Sequence, residues 1–326
     1  MDISSAQRVS VVVPVYRGEL TLPALVAEVA QFTHEQTTPG GNRYEICEVL
    51  LVHDCGPDQS DKVIESLSAQ HSFVRPVWLT RNYGQHAATL AGMASATGDW
   101  VATIDEDGQQ DPRDIGRMLD KALAGSLQLV YAQPTNPPPH SPLRNALSGI
   151  AKSINISLLG NSAIGRFNSF RLVDGEIARC LAAYSGIGVY LDIALFWITA
   201  RVGHCPVELR TGIDRPSGYS YLKLLAHFWR LLLTTGTRPL RFITLMGFCS
   251  MILAVFVAGH VLYAKFSAEI PVQGWASLVI VVSFFSGCIL TALGVIAEYL
   301  AVTTGILMGK PLYVVSTKPT RPPERQ

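Results

Sequence analysis

RNYGQHAATLAGMASATGDWVATIDEDGQQDP, residues 81–112, places a helical pattern, a strand and an acidic loop in direct succession. The spacing of apolar residues predicts a helix over Gln85–Ala96 and a strand over Trp100–Ile104. The strand ends in three consecutive acids, Asp105-Glu106-Asp107. An acidic loop at the end of a buried strand is where an α/β fold carries its ligand site.

The same alternation extends outward toward the N-terminus. We expect strands at Val9–Val13, Val49–Val52 and Val74–Leu79, and helices at Leu22–Phe32 and Asp61–Gln70. A βαβαβαβ order predicts an α/β domain with a parallel sheet and helices on both faces. Three loops at the carboxyl ends of the strands should then carry the chemistry: Pro14–Glu19, His53–Ser60 and Asp105–Asp111.

The acidic loop predicts a divalent cation. Adjacent carboxylates repel one another without a positive charge between them. Hard oxygen ligands beside a phosphate-bearing substrate suit Mg²⁺ or Mn²⁺. The alternative is a solvated turn before a helix, because Asp111-Pro112 is a good helix-start pair.

Two further loops offer ligand contacts. Asp54 closes a buried strand and is placed to accept hydrogen bonds from a base or a ribose. Asp58 or Ser60 is expected to cap the following helix. Arg81 precedes a helix N-terminus, which favours anions, and is placed to reach a diphosphate. His86 is expected to be a helix surface residue rather than a catalyst.

Several classes of protein are excluded. No GxGxxG follows the first strand and no GxxxxGK[ST] occurs, which argues against dinucleotide oxidoreductases and P-loop ATPases. A net charge of +1 gives no footprint for nucleic acid. The six cysteines have no CxxC pairing, so the sequence indicates a reducing compartment without disulfides or zinc. The N-terminus lacks signal-peptide features, so we expect this domain in the cytoplasm.

The C-terminal part is apolar enough for a membrane, and the mean hydropathy of the chain is +0.27. Phe242–Ala264 and Trp275–Ala297 contain no charged residue and match the length of a bilayer span. The alternative is a pair of buried core helices. The connector Lys265–Gly274 would make the spans a hairpin, with both ends cytoplasmic because the flanking segments carry the excess of Lys and Arg. Tyr221–Gly236 is expected to lie in the membrane interface, or alternatively on the globular domain.

The predicted organisation is therefore a cytoplasmic domain at 1–215, a juxtamembrane amphipathic helix at 216–238, two transmembrane helices at 239–304 and a cytoplasmic tail at 305–326. Within the first domain, Leu143–Leu158 has one apolar helical face, with Arg144 and Lys152 off that face. A proline-rich loop, residues 134–142, precedes it.

Taken together, these segments resemble the family 2 glycosyltransferases of GT-A fold, and within them the branch that acts on polyprenyl phosphates. That branch includes dolichol-phosphate mannose synthases and bactoprenol glucosyltransferases. The matching segments are VVVPVYRGE (11–19), EVLLVHDCGPDQS (48–60), the opening stretch (81–112), NSFR (168–171), VYLDIALFW (189–197), SGYSYLKLL (217–225), TRPLRF (237–242) and GVIAEYL (294–300). They cover nearly the whole chain in order.

The resemblance implies roles for individual residues. Donor binding falls to Pro14, Tyr16, Glu19, Asp54, Arg81, Asp105 and Asp107, and to a closing loop at Ser217, Gly218 and Tyr219. The metal site falls to Asp105, Asp107 and Gln109, and the acceptor phosphate to Arg144, assisted by Lys152 and Arg215. Catalysis thus rests on Asp107 and Arg144.

Three positions depart from the pattern of the branch. His53 stands where Asp or Asn is usual, and Gln133-Pro134-Thr135 where Arg or Lys is usual. Before the closing loop, Gly212 and Arg215 replace the usual R-x-x-G-x-S arrangement.

The function that these residues predict is metal-dependent, inverting transfer of a sugar from a UDP- or GDP-sugar to an undecaprenyl-type phosphate. It would take place at the cytoplasmic face of a bacterial inner membrane, for cell-envelope glycan synthesis or modification, and a homo-oligomer is compatible with it. A lipid phosphate has its second pKa near 6 and needs no general base. The alternatives are a processive polysaccharide synthase of the same fold, which usually shows a QxxRW-like motif that is absent here, and an inactive membrane scaffold subunit.

Overall fold

The computed structural model describes residues 6–136, 167–184, 190–210, 274–308 and 311–319, together with single helical positions between 247 and 263. The elements of the first part are β1 (Gln7–Val15), α1 (Leu22–Ala30), β2 (Gln36–Thr37), β3 (Arg43–His53), α2 (Ser60–Gln70), β4 (Val74–Leu79), α3 (Gln85–Ser95), β5 (Trp100–Thr103) and α4 (Asp114–Ala124). They are followed by β6 (Leu129–Pro134), β7 (Arg171–Asp174), α5 (Gly175–Tyr184), α6 (Leu191–Ile198), β8 (Val202–Val207), α7 (Trp275–Leu307) and β9 (Val315–Ser316).

One mixed sheet organises the domain, in the order β8-β6-β7-β5-β1-β3-β4-β9, with β2 paired to β3. The pairs β1–β3, β1–β5, β3–β4 and β6–β8 are parallel. Strand β7 runs antiparallel between β5 and β6, and β9 runs antiparallel to β4. The α/β class and the mostly parallel sheet are therefore confirmed.

Alternating strand residues supply two hydrophobic layers, one on each face of the sheet. Val11 and Val13 of β1 pack into the layer that also contains apolar residues of α1, α2 and α4. Val12 packs into the other layer, with apolar residues of α3, α5 and α6. Because a strand reverses its side chains at every residue, a run of valines can be buried on both faces. The predicted helices on both faces are confirmed.

Some elements were not predicted. Strand β3 begins at Arg43, and its first residues pair with the short β2. The C-terminal residues Val315–Ser316 add a strand at the β4 edge, and the backbone N–H of Thr80 donates to the carbonyl of Val314 over 3.0 Å. The segment expected to be a plain tail therefore covers an edge that would otherwise be open.

Helix α7 is mostly apolar, with Glu298 as its one charged residue, and its window Phe284–Ala301 has a mean hydropathy of 1.7. By length and composition it is able to cross a membrane, and it is the one such helix within the described residues. It includes the predicted second span and continues ten residues beyond Ala297 to Leu307. Most of the first predicted span, Phe242–Ala264, lies outside the described residues, so the hairpin stays a prediction. The juxtamembrane helix at 216–238 also lies outside them.

A buried glutamate joins four elements at the centre of the sheet. Glu48 of β3 is 4% exposed. Its carboxylate accepts hydrogen bonds from Ser10 Oγ (2.6 Å), from the backbone N–H (2.7 Å) and hydroxyl (2.8 Å) of Thr97, and from Arg75 of β4. Burial alone would raise the pKa of Glu48, but the donors from Ser10, Thr97 and Arg75 outweigh it and lower the pKa. The ionised form is thus the one that the fold stabilises.

We expect Glu48→Gln to destabilise the folded domain, because the amide accepts fewer hydrogen bonds and leaves Arg75 without a counter-charge. The expected loss at about pH 7 is about 1.5–3 kcal/mol, or roughly 5 °C in Tm. A group whose pKa is lower in the folded protein stabilises it above its ordinary pKa, here 4.5, and loses that effect as the pH falls. The difference in Tm should therefore narrow below about pH 4.5.

Thermal melting of the detergent-purified protein measures this effect. Glu45→Gln is the matched control on the same strand, since Glu45 is partly exposed and lies 3.9 Å from Arg8. A surface ion pair of this kind contributes about 0–1 kcal/mol. Equal Tm losses in the two variants would contradict the assigned role of Glu48.

Candidate active site

The loops that follow β1, β3, β4 and β5 meet at the carboxyl edge of the sheet, as predicted. Hydrogen bonds between side chains and backbone N–H groups join them. Backbone N–H groups of the β1 loop donate to side chains that follow β3 and β5. A backbone N–H group of the β4 loop donates to a side chain of the β3 loop. The site is therefore one connected network of loops.

Asp54 fastens the β4 loop. Its two carboxylate oxygens accept the backbone N–H groups of Tyr83 (2.7 Å) and Gly84 (2.8 Å), just before α3 begins. Asp54 is 4% exposed, and burial raises its pKa to about 6 although both N–H groups oppose the rise. Both oxygens thus hold protein groups, and further lone pairs remain for a ligand.

The carboxylate of Asp105 accepts hydrogen bonds from three side chains. One oxygen accepts Gln85 Nε2 at 2.6 Å, and the other accepts Gln110 Nε2 at 2.9 Å and the hydroxyl of Ser169. Its backbone N–H donates to Gln110 Oε1 at 2.9 Å. Burial is the main cause that raises the pKa of Asp105, and the charge of Asp107 adds to it. A cation beside the two acids would offset both effects.

Asp107 has the carboxylate best suited to hold a cation. The one hydrogen bond found for it within the described residues is from the backbone N–H of Gln109 at 3.0 Å. No set of three or more His, Cys, Asp or Glu side chains converges into a metal site in the described part of the chain. A cation here would be held by Asp107, with oxygens of Asp105 and Gln109 and a substrate phosphate. Such a sparse protein ligand set is typical of Mg²⁺ and Mn²⁺ sites.

Glu106, the middle acid, does not join its neighbours. Its carboxylate accepts the backbone N–H of Tyr16 at 3.0 Å and that of Arg17 at 3.0 and 3.2 Å. The metal ligands predicted from the sequence were Asp105, Asp107 and Gln109, and Glu106 was not among them. Its side chain reaches across to the β1 loop from the turn that follows β5.

The far end of the acidic loop is tied to the chain after β8. Arg210 donates to Asp111 and to Glu28 of α1, at 2.7 Å in each case, and its backbone N–H donates to the carbonyl of Gln109 at 2.9 Å. Burial would raise the pKa of Asp111, but hydrogen bonds from Arg113 and Arg210 lower it to about 2. Asp111 thus closes the loop, and α4 begins only at Asp114.

A buried ion pair lies beneath the site. Arg171 of β7 and Asp192 of α6 are hydrogen-bonded and each 3% exposed. Tyr131 also donates to Asp192 at 2.8 Å. Burial raises the pKa of Asp192, with the charge of Arg171 opposing that rise. The pair joins two segments that sequence reasoning had left without a role, NSFR and VYLD.

The remaining predicted donor residues are found at or near the edge of the sheet. Pro14 is buried within β1, whereas Tyr16 is 40% exposed. Glu19 accepts the backbone N–H of Gln59 at 3.1 Å. Arg81 is exposed and stacks its guanidinium on the ring of Tyr83 at 4.5 Å. Donor contact by these residues stays a prediction.

Two other interpretations concern the β3 loop and α3. His53 is fully buried and accepts the backbone N–H of Gly56 at 3.3 Å, so it shapes the loop from beneath. Asp58 accepts the backbone N–H of Ser60 over 3.3 Å, but the N-cap residue of α2 is Gln59, whose side chain makes no capping hydrogen bond, so the predicted cap at Asp58 or Ser60 is not found. His86 packs its ring against Tyr190 at 4.3 Å.

Six of the predicted site residues lie outside the described residues. These are Arg144, Lys152 and Arg215 for the acceptor phosphate, and Ser217, Gly218 and Tyr219 for the closing loop. The helix at Leu143–Leu158 lies outside them as well.

Sequence reasoning missed five residues that organise the site: Gln85, Glu106, Gln110, Ser169 and Arg210. Gln85, Glu106, Gln110 and Ser169 all lie within the segments that match the family, at 81–112 and 168–171. Nothing in the spacing distinguishes Gln110 from Gln109 as the partner of Asp105. Arg210 carries no local signal, because its partners Glu28 and Asp111 are far from it in sequence.

Comparison with known proteins agrees with this geometry. The sequence model described as Glycosyl transferase family 2 matches residues 10–184. Undecaprenyl-phosphate 4-deoxy-4-formamido-L-arabinose transferase of Pectobacterium atrosepticum is 30% identical over an alignment of 328 positions. The alignment covers 96% of this chain and 94% of that protein. Bactoprenol glucosyl transferase of Shigella phage SfX is 24% identical over 95% of this chain and 99% of that protein. A crystal structure of a mycobacterial protein shares the fold, with a TM-score of 0.51 and 18% identity over 71% of this chain and 74% of that one.

The fold, the loops and these matches define an enzyme of the glycosyltransferase class. The chain belongs to glycosyl transferase family 2. The predicted family is thereby confirmed, and the mixed α/β sheet is of the GT-A type.

We expect the ionised form of Asp54 to lower the free energy of unfolding, because the side chain is buried. Its pKa of about 6 lies above the ordinary value of 3.8, so the folded state holds a proton between these values that the unfolded state releases. Stability should therefore fall as the pH rises from about 4 to 6, by up to about 3 kcal/mol. Asp54→Asn has no charge to bury, and its Tm relative to the wild type should rise over that window.

Melting curves of both proteins in the same buffers isolate the contribution of Asp54. A Tm difference that stays constant between about pH 4.5 and 7 would show that this carboxylate is not strained by burial.

Proposed function

We propose that this glycosyltransferase moves a sugar from a UDP- or GDP-sugar to an undecaprenyl-type polyprenyl phosphate at the cytoplasmic face of the bacterial inner membrane. The observation that carries the proposal is the end-to-end similarity to a relative named for undecaprenyl phosphate, which includes the apolar C-terminal part. Helix α7 supports it, because an acceptor dissolved in a membrane calls for an enzyme anchored there.

The donor would lie across the carboxyl edge of the sheet. Tyr16 offers an exposed ring to a base, and Arg81 offers a positive charge beside the N-terminus of α3 to a diphosphate. Asp107, with Asp105 and Gln109, would hold Mg²⁺ or Mn²⁺. When bound, the cation neutralises the charge that develops on the leaving nucleotide diphosphate.

The acceptor phosphate needs little activation. It is largely ionised at pH 7 because its second pKa is about 6. Attack on the anomeric carbon from the side opposite the leaving group forms the new C–O bond while the bond from that carbon to the nucleoside diphosphate breaks. The configuration is inverted, and the nucleoside diphosphate leaves with the electron pair. The enzyme then contributes positioning and charge neutralisation rather than proton removal.

Incubation of the detergent-purified enzyme with radiolabelled nucleotide-sugars, a short-chain polyprenyl phosphate and Mn²⁺ tests the proposal. We expect a lipid carrying one sugar from a single donor of the panel. A polymeric product would identify a polysaccharide synthase instead. Absence of transfer with every donor, while the protein remains folded, would favour a scaffold subunit.

Transfer should require a divalent cation held through Asp107. Asp107→Ala removes the carboxylate with the fewest protein contacts, so the fold should keep its Tm while transfer is abolished. Excess EDTA should likewise stop the wild-type enzyme, and Mn²⁺ or Mg²⁺ should restore it. Undiminished transfer in EDTA would refute the metal requirement.

Arg144 should hold the acceptor phosphate near the membrane surface. Loss of one charge-assisted contact costs about 1.5–3 kcal/mol, so Arg144→Ala should weaken use of the lipid about tenfold to a hundredfold. The affinity for the nucleotide-sugar should be nearly unchanged. A variant that lost donor affinity and kept its acceptor kinetics would show that Arg144 belongs to the donor site.

A further inference from the structure

The β1 loop is fastened through its backbone rather than its side chains. The N–H groups of residues 16–19 each donate to a side chain from another loop. Tyr16 and Arg17 donate to Glu106, Gly18 donates to Ser60 Oγ at 2.8 Å, and Glu19 donates to Asp58 Oδ2 at 3.2 Å. Because four consecutive N–H groups are hydrogen-bonded to fixed side chains, the backbone conformation of this loop is tightly restricted.

Close contacts show how tightly the path is fixed. A Cβ atom on Gly56 would lie 1.8 Å from the carbonyl oxygen of Tyr16, so only glycine fits there. A Cβ atom on Gly18 would lie 2.9 Å from Glu106 Oε2 and 2.7 Å from Leu22 Cγ. The backbone of the loop is thus pressed between the β3 loop on one side and Glu106 on the other.

We propose that Glu106 is a positioning residue that sets the place of Tyr16 for nucleotide binding, and that it is not a ligand of the cation. The inference rests on the proposed function, because it assigns the β1 loop to the donor nucleotide. Glu106 is the one acid of Asp105-Glu106-Asp107 that contacts this loop through the hydrogen bonds described. The acidic segment thereby has two roles, with Asp107 directed to the cation and Glu106 to the loop.

The charge of Glu106 is essential to this arrangement. A carboxylate accepts two parallel N–H groups, one on each oxygen, and such charge-assisted bonds are among the stronger ones in proteins. In Glu106→Gln one oxygen becomes an NH₂ group, which is a donor facing a donor. The loop then loses at least one of its ties while the volume of the side chain is unchanged.

Full-length protein in detergent is used for the test, with Mn²⁺ alone, UDP and GDP as probes. For Glu106→Gln we expect the Kd of the preferred nucleotide at saturating Mn²⁺ to rise about tenfold or more. The Kd of Mn²⁺ without nucleotide, followed by its electron paramagnetic resonance signal, should stay within about twofold of the wild type. Asp107→Asn is the reference for a lost cation ligand, and Glu65→Gln, an exposed change on α2, is the neutral control.

Backbone hydrogen exchange supplies an independent measurement in the absence of any ligand. The peptide covering residues 16–19 should exchange faster in Glu106→Gln and in Glu106→Ala than in the wild type, with an unchanged Tm. In transfer assays the variants should raise the KM of the nucleotide-sugar and leave kcat nearly unchanged, a split that a general loss of folding does not produce.

Two results for Glu106→Gln would overturn the inference. Weakened binding of Mn²⁺ alone in Glu106→Gln, to the level of Asp107→Asn, would overturn the inference by making Glu106 a ligand. Wild-type nucleotide affinity and exchange rates in Glu106→Gln would overturn it by removing the positioning role. If the wild type itself bound neither nucleotide, the proposed function would fail first, and faster exchange at residues 16–19 would still report on the tie to Glu106.

Discussion

Carboxylates that accept backbone N–H groups hold the loops of this enzyme together at the carboxyl edge of the sheet. Asp54 holds the β4 loop, Asp58 and Glu106 hold the β1 loop, and Arg210 fixes the end of the acidic loop through Asp111. A parallel sheet brings such loops to one edge but does not fix their paths. Each acid satisfies an N–H group that a sharply turning loop cannot pair with its own backbone. The network leaves Tyr16 and Arg81 exposed and Asp107 partly exposed, and these are positions that we propose for the donor.

Two buried acids, Glu48 in β3 and Asp54 directly after it, differ in how far the surrounding protein stabilises their charge. Glu48 has enough donors around it for the fold to favour its ionised form, so its pKa is lowered. Asp54, at the ligand edge, has two N–H donors and a pKa raised to about 6. The first acid stabilises the sheet, and the second is kept charged at a cost. Strain of this kind is typical of sites where a ligand supplies the missing partner.

Strands β1, β3, β4 and β5 and helices α1, α2 and α3 were predictable because valine runs and helical spacing report burial directly. The family was predictable as well, since its motifs are continuous in sequence. The internal order of the site was not. Whether Gln109 or Gln110 faces Asp105 depends on the turn at the end of β5, and the tie between Arg210 and Glu28 joins residues distant in the chain. The edge strand β9 was missed because two residues are too few for a periodic pattern.

In our proposal the acidic loop divides its carboxylates, with Asp107 binding a cation and Glu106 holding the β1 loop. A crystal or cryo-electron microscopy structure of the enzyme with Mn²⁺ and the preferred nucleoside diphosphate tests it most directly. We expect Mn²⁺ at Asp107, with the carboxylate of Glu106 still bound to the N–H groups of Tyr16 and Arg17. A structure in which Glu106 leaves the β1 loop and coordinates the cation would contradict it.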